Sequence, residues 1–272
     1  MVNTVIKVIV TGAAGRMGGR TITLIQGDDR VELVGAVEQR GHQLVGSDVG
    51  AYLGLGETGV ILGEDLAECI ERGDVVIDFS SHIASLAHLK TAAEHNKAIV
   101  IGSTGLTPDE MEQVADISGR TRCVLAPNMS VGVNVMFKVL KDVAGILGDG
   151  YDVEIVEAHH NQKKDAPSGT AVKMAQIIAQ ALDRDIEKVG VYGRRGMIGA
   201  RPQAEIGVHT VRAGDIVGEH TVLFGGMGER LEFIHRAHSR DNFARGAIRA
   251  AVWIVDRENG LYDMQDVLGL KD

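Results

Sequence analysis

The run E-A-H-H-N-Q-K-K-D-A-P-S-G-T-A, Glu157–Ala171, gathers groups that hold an anion and move a proton. His159 and His160 close a strand-like segment, Asp152–His159. Pro167-Ser168-Gly169-Thr170 has the chemistry of a helix start, with Ser168 as N-cap. The first N–H groups of a helix lack intrahelical partners, so those of Gly169 and Thr170 suit a carboxylate. Lys163 adds a cation, since a lysine ammonium is charged at neutral pH. Histidine titrates near ~6.5 and donates or accepts a proton there. Neighbours on a strand face opposite ways, so one of the two histidines faces a ligand directly. A histidine pair also suits a metal, but no third ligand stands at fitting spacing.

A second candidate site opens the chain. Thr11–Gly19 reads T-G-A-A-G-R-M-G-G, with Gly12, Gly15 and Gly18 between a strand-like run and a helix-like one. Such a turn brings backbone N–H groups and a helix N-terminus onto a pyrophosphate. Three glycines would equally serve a tight strand–helix turn. Glu38, 20 residues beyond Gly18 and at the end of the next apolar run, favours the nucleotide reading. A carboxylate at that distance meets an adenosine ribose. Arg16 and Arg40 are cations that could meet a 2′-phosphate, whereas Glu38 favours a free 2′-hydroxyl. Both NADH and NADPH are therefore expected. Gly102–Gly105 and Ala126–Ser130 end two further strand-like runs, where backbone groups of small residues suit a nicotinamide amide or an ordinary turn.

The elements that must carry these groups follow from patterning. Val5–Val10, Val31–Val37, Val75–Phe79, Ala98–Ile101 and Cys123–Ala126 are nearly continuous apolar runs, as in strands buried on both faces. Gly15–Gly27, Ile83–His95 and Pro108–Gly119 alternate with them as helices. Thr107-Pro108-Asp109-Glu110 is a helix start. The expectation is a Rossmann-like, doubly wound parallel sheet. Past Asn128 the pattern changes. Val133–Leu147 is a predicted helix with Val135, Val139, Val143 and Leu147 at four-residue spacing, and Ser168–Leu182 is another. Glu205–Arg212, Glu219–Phe224 and Arg230–Ala237 are strands separated by short glycine turns, expected as an antiparallel or mixed sheet. Asn242–Glu258 is a last helix, carrying Trp253. Two domains are predicted, 1–129 completed by 241–272, and 130–240 as an α+β domain. Few helices cover the second sheet, so self-association through it is expected.

The chain has 272 residues, 44% hydrophobic, with a net charge of -9 and no Lys/Arg cluster. Nucleic acid is not an expected partner. No apolar run approaches the ~18 residues of a membrane helix. The N-terminal residues lack the pattern of a signal peptide. Cys69 and Cys123 make neither a disulfide framework nor a metal motif, and a cytoplasmic setting is expected.

The His-His-Lys-Ser-Gly-Thr run resembles the signature of the 4-hydroxy-tetrahydrodipicolinate reductase family, also called dihydrodipicolinate reductase. The resemblance extends to G-A-A-G-R-M-G, to G-S-T-G at Gly102–Gly105, to P-N-M-S-V-G-V-N at Pro127–Asn134 and to V-R-A-G-D-I-V-G-E-H-T at Val211–Thr221. It implies a homotetrameric NADH- or NADPH-dependent oxidoreductase of lysine and diaminopimelate biosynthesis. It implies His159 as proton donor and Lys163 as its cationic partner. His160, Lys163, Ser168, Gly169 and Thr170 would bind the carboxylates of a cyclic imine dicarboxylate. Gly12, Ala13, Gly15, Arg16, Met17 and Glu38 would hold the adenosine diphosphate. Gly102, Thr104, Ala126, Asn128 and Met129 would lie by the nicotinamide. Some members carry arginine where this chain has Gln39, and an aromatic where it has Met129, so no stacking role is carried over to Met129. Two other readings share parts of the pattern. An aspartate- or homoserine-type dehydrogenase would share the glycine loop but not need the His-Lys array. A non-catalytic NAD(H) sensor would need no proton donor.

Overall fold

The computed structural model describes residues 5–271; residues 1–4, which head the N-terminal segment read above, and residue 272 lie outside the described residues. From the N-terminus, β1 (Ile6–Thr11), α1 (Arg16–Ile25), β2 (Val31–Val37), α2 (Val49–Leu53), β3 (Leu62–Gly63) and β4 (Val75–Asp78) follow one another. Next come α3 (His82–Glu94), β5 (Ala98–Ile101), α4 (Pro108–Ser118) and β6 (Arg122–Leu125). β4 and β5 are buried at every position, which is why their sequences show no alternation. α4 starts as expected: the Thr107 hydroxyl accepts the Glu110 N–H, and the Glu110 carboxylate accepts the Thr107 N–H.

The chain continues through α5 (Val131–Leu147), β7 (Asp152–His159), α6 (Gly169–Ala181), α7 (Ile186–Val189), β8 (Gly190–Val191), β9 (Ile206–Arg212), β10 (Gly218–Gly225) and β11 (Arg230–Ala237). It ends in α8 (Asp241–Ile254), β12 (Gly260–Tyr262) and α9 (Met264–Leu268). It divides into two compact units, one reaching to Val131 and resuming at Arg240, the other Gly132–Ser239.

The first unit holds a seven-stranded sheet in the order β12-β6-β5-β4-β1-β2-β3, with every pairing parallel. Alternate strand residues enter two cores. Val8, Val10, Ile77 and Val100 pack with Ile22 of α1 and with Ala247, Ala251 and Ile254 of α8. Ile9, Val76, Ile99 and Cys123 pack with Leu89 of α3 and Val114 of α4. The sheet is thus covered on both faces. Arg20 of α1 donates to both carboxylate oxygens of Asp241 at 2.5 and 2.6 Å, tying α1 to α8. α8 stops at Ile254, four residues short of the expected end at Glu258. The chain beyond it must turn to add β12 beside β6. Trp253 packs edge-on against Tyr262 of β12.

The second unit holds a five-stranded mixed sheet, β11-β10-β7-β9-β8. β9 and β10 are separated by only residues 213–217, yet they do not pair. β7 lies between them, parallel to β9 and antiparallel to β10. The connection folds over the end of β7: Ala213 N–H donates to the His159 carbonyl and Asn161 N–H to that of Gly214. The face of α5 differs from the four-residue stripe as well. Val133, Met136, Phe137, Leu140 and Ala144 are buried, whereas Val135 is 42% exposed. A strict spacing of four drifts about 40° per step around a 3.6-residue helix; mixed steps of three and four keep to one face. α5 and α6 cover one face of the sheet, packing on Val153, Ile155, Val208, Val222 and Phe224. Val156, Val211 and Ile234 remain exposed on its other side.

Candidate active site

In the first unit the glycine loop joins β1 to α1. Gly12 has φ of +68°, and a Cβ there would stand 2.5 Å from the Phe79 carbonyl oxygen. A Cβ on Gly18 would stand 2.1 Å from the Gly12 carbonyl oxygen. The loop is pressed against the strand ends, and the helix start at Gly15 has no side-chain cap. Gly15 and Arg16 are exposed, Met17 is half-buried, and the Ala13 side chain lies in the core, so Ala13 offers only its backbone. The Glu38 carboxylate accepts the Ala14 N–H at 3.0 Å and the Gln39 N–H at 2.9 Å. It therefore stands beside the loop, as a ribose partner must. This cradle fits a dinucleotide. Arg40 is exposed and lies 3.7 Å from Glu64.

The Gly102–Gly105 loop is held from beneath by Asp78, which sequence reasoning passed over. Asp78 is fully buried at the end of β4. It accepts hydrogen bonds from the Ser80 N–H (3.0 Å), the Ser80 and Ser85 hydroxyls (both 2.8 Å) and the Ser103 hydroxyl (3.0 Å). His88 Nδ1 donates to its other oxygen. Burial opposes its ionisation, yet His88 and these donors hold its pKa below the ordinary value. A Cβ on Gly102 would meet the Phe79 ring at 2.2 Å, so that glycine is also required by packing. Thr104 is exposed. Ala126 and Met129 are each only 2% exposed. The Met129 side chain packs in the core, which leaves its backbone to face the candidate site. Asn128 is half-buried, and its Oδ1 accepts the Ser130 N–H at 2.9 Å.

The second unit brings the His-His-Lys run to the C-terminal end of β7. Val153, Ile155, Glu157 and His159 alternate onto the helix-covered face. The strand ends at His159, and His160 is half-buried just beyond it. His159 Nδ1 lies 2.5 Å from Glu157 Oε2. Arg212 grips the same carboxylate with two bonds of 2.8 Å. Ser168 N–H and the Thr210 hydroxyl donate to Oε1 at 3.0 and 3.2 Å. Burial raises the Glu157 pKa, but Arg212, His159 and Ser168 outweigh it and hold it down at about 2. For His159, burial lowers the pKa, Glu157 opposes, and Lys163 and Arg212 add to the lowering; the net direction is down. The His220 ring packs edge-on to His159 at 5.3 Å. Burial, reinforced by His159 and His235, pushes its pKa down to about 3.

Lys163 Nζ lies 2.9 Å from Asp165, so an incoming carboxylate must compete with that pair. Ser168 is 1% exposed and is the N-cap of α6: its hydroxyl accepts the Ala171 N–H at 3.2 Å and pairs with His220 Nε2 at 3.1 Å. With its N–H also committed to Glu157, Ser168 shapes the helix end, and the exposed Gly169 stands at its tip. Thr170 is half-buried in the first turn. Glu157, Arg212 and His220 were quoted within motifs but given no role. The signal available was their place inside the two longest matching runs. Cys123 is buried, and its thiol pKa is pushed up to about 12 by burial, which suits a packing role. Among the described residues, no group of three or more His, Cys, Asp or Glu is placed to hold a metal ion. No helix among them is long and apolar enough to cross a membrane.

Two family profiles match this chain: dihydrodipicolinate reductase, N-terminus, over residues 6–129, and dihydrodipicolinate reductase, C-terminus, over residues 132–268. It is 60% identical to the 4-hydroxy-tetrahydrodipicolinate reductase of Syntrophus aciditrophicus, over 98% of this chain and 99% of that one. It is 55% identical to the protein of the same name from Desulfotalea psychrophila, with the same coverage. Among solved structures it is similar to a dipicolinate-bound dihydrodipicolinate reductase from Paenisporosarcina sp. TG-14, with a TM-score of 0.75 and 26% identity, covering 97% of this chain and 99% of that one. An amine dehydrogenase from Mycobacterium smegmatis shares the fold at a TM-score of 0.58 and 14% identity, covering 95% of this chain and 94% of that one. With a glycine loop and acid in one unit and a His-Lys site at a helix end in the other, the chain belongs to the dihydrodipicolinate reductase family.

Proposed function

We propose that this protein reduces 4-hydroxy-tetrahydrodipicolinate to tetrahydrodipicolinate with NADH or NADPH, in lysine and diaminopimelate biosynthesis. The observation that carries this reading is full-length likeness to the reductases together with the His159, Lys163 and α6 arrangement. In the net reaction the substrate loses its hydroxyl as water and gains one hydride and one proton. Reduced nicotinamide supplies the hydride when bound. The protein supplies the rest. The Lys163 ammonium and the start of α6 neutralise the dicarboxylate, with Gly169 and Thr170 as backbone partners and His160 alongside. His159 delivers the proton to carbon. Gly12, Gly15, Arg16 and Met17 hold the pyrophosphate end of the cofactor, Glu38 the ribose, and the loops at Gly102–Thr104 and Ala126–Asn128 the nicotinamide.

Use of both cofactors is supported by Glu38 beside the loop and by the exposed cations Arg16 and Arg40. A homotetramer assembled through the open face of the second sheet is supported by exposed Val156, Val211 and Ile234. A cytoplasmic setting fits a biosynthetic reductase with two free thiols. A coupled assay tests the function. Pyruvate and aspartate semialdehyde are condensed by the preceding synthase, and nicotinamide absorbance is followed with NADH and with NADPH. Absorbance loss that needs both the condensation product and this protein is expected with each cofactor. No loss, in folded protein that binds the cofactor, would refute the reading. Light scattering at micromolar concentration is expected to give four times the chain mass.

A further inference from the structure

We propose that Glu157, clamped by Arg212, is the positioning residue that fixes His159 in one tautomer, Nδ1 protonated and Nε2 left to carry the transferable proton. The inference rests on the reading of His159 as proton donor, and it adds what makes that histidine competent.

With Glu157 ionised, the heavy-atom geometry sets the hydrogens. Each oxygen of Glu157 faces donors only. Oε2 receives His159 Nδ1 at 2.5 Å and an Arg212 nitrogen at 2.8 Å. Oε1 receives Ser168 N–H, the Thr210 hydroxyl and the second Arg212 nitrogen. An ionised carboxylate accepts at both oxygens and donates at neither. Nδ1 must therefore carry hydrogen, and a neutral ring has its lone pair on Nε2. The register builds this cluster. Glu157 pairs with Thr210 on β9 and with His220 on β10, and His159 pairs with Arg212. Arg212 is anchored in turn: it donates to the Asp165 carbonyl at 2.6 Å and to its own neighbour Val211 at 2.8 Å.

The titratable groups around His159 come from every side of the site. Glu157 lies on its own strand, Arg212 on β9 and His220 on β10, while Lys163 and Asp165 lie on the following loop. Glu157 is the anion bonded to the ring. It stabilises the imidazolium that forms when Nε2 takes up a proton, against burial and two nearby cations. Because Glu157 also binds the Ser168 N–H, one carboxylate ties the proton donor to the cap of the anion-binding helix. Catalytic triads use a buried carboxylate on Nδ1 in the same way.

Glu157→Gln tests this. Oε1 faces three donors and Oε2 two, so the amide oxygen takes the Oε1 place and the amide NH2 faces His159, at the loss of one Arg212 bond. Nδ1 then becomes the acceptor and the proton moves to Nε2. In wild-type protein, nitrogen-15 spectra of the histidine rings, with His159 assigned by its loss in His159→Gln, are expected to show a neutral Nδ1–H tautomer. In Glu157→Gln they are expected to show Nε2–H. Turnover is expected to fall by about 10²-fold or more while KM changes less than about fivefold, the pattern of a group that acts in the transition state. The basic limb of the kcat/KM profile is expected to move to lower pH, since the ring has lost its anion. A residue with only a structural role would leave that limb in place. A wild-type Nε2–H tautomer, or turnover within about threefold of wild type with an unmoved limb, would overturn the proposal. The wild-type spectrum decides it even if the variant does not fold. That spectrum needs no substrate, so lack of turnover in wild-type protein would count against the reductase reading alone.

Discussion

Replacing Gly18 by alanine should weaken nucleotide binding by at least about 10-fold, although helix propensity alone favours the change. Alanine in a helix interior is better than glycine by about 1 kcal/mol. The added Cβ, however, would stand 2.1 Å from the Gly12 carbonyl oxygen, 2.7 Å from its carbon and 2.8 Å from Ala13 Cα. Real Cβ atoms do not approach within 3.0 Å, so backbone must move by roughly 0.9 Å. The obstructing atoms are main chain, and Gly12 is itself pinned against the Phe79 carbonyl. The loop has nowhere to retreat except into the space a pyrophosphate needs. A hydrogen bond to a charged group is worth ~1.5–3 kcal/mol. Losing one or two of them weakens binding by roughly 10-fold to 10⁴-fold. Titration of NADH and NADPH, followed by fluorescence or calorimetry, reads this directly. Gly27→Ala is the control, because its Cβ would meet nothing closer than the Leu24 carbonyl oxygen at 3.9 Å. Near-native affinity in Gly18→Ala, with Gly27→Ala unchanged, would refute the assignment of this loop to the pyrophosphate.

Lys163→Ala and His159→Gln are each expected to lower turnover by about 10²-fold or more, with cofactor affinity retained; steady-state kinetics beside cofactor titration separate the two effects. Asp78→Ala is expected to destabilise the protein by about 3–5 kcal/mol, because it strands His88 and three serine donors around a buried void; a denaturant midpoint close to wild type would contradict this. Glu154 and Glu157 both have pKa values held down to about 2 in the folded chain, against an ordinary 4.5. Lowered carboxylate pKa values mean that the unfolded chain binds protons first, so stability present above about pH 4.5 drains away toward pH 2. Denaturant melts across that range should show the loss, and a flat profile would show that these two carboxylates do not govern it.

The first unit was legible because its strands are buried on both faces. Val75–Asp78 and Ala98–Ile101 are apolar runs with no competing pattern, and Thr107 to Glu110 state their own helix start. The two- or three-residue strands β3, β8 and β12 were not legible. Their pairing depends on where a neighbouring strand ends, not on a local pattern. The second sheet was legible as strands but not as an order. A five-residue connection suggests a hairpin between β9 and β10, yet β7 enters between them, pairing Glu157 with Thr210 and His159 with Arg212 on one side and Glu157 with His220 on the other. His159, Lys163 and Ser168 stood out because an imidazole, a cation and a helix cap fall within one short run. Asp78 and Glu157 did not, because a lone acid at a strand end is ordinary until its donors are known. Those donors lie up to 25 residues away for Asp78 and 55 for Glu157. Met129 illustrates the converse: a motif position lies beside a candidate site while its side chain belongs to the core.

The most direct measurement follows the hydride itself. NADPH and NADH carrying deuterium at the transferred position are incubated with this protein and the condensation product of pyruvate and aspartate semialdehyde, and the product is analysed by mass spectrometry. Tetrahydrodipicolinate carrying the deuterium on a ring carbon is expected, and none should form with His159→Gln beyond a slow residual rate. Folded, cofactor-binding protein that yields no tetrahydrodipicolinate, or yields it without deuterium, would contradict direct reduction of this substrate.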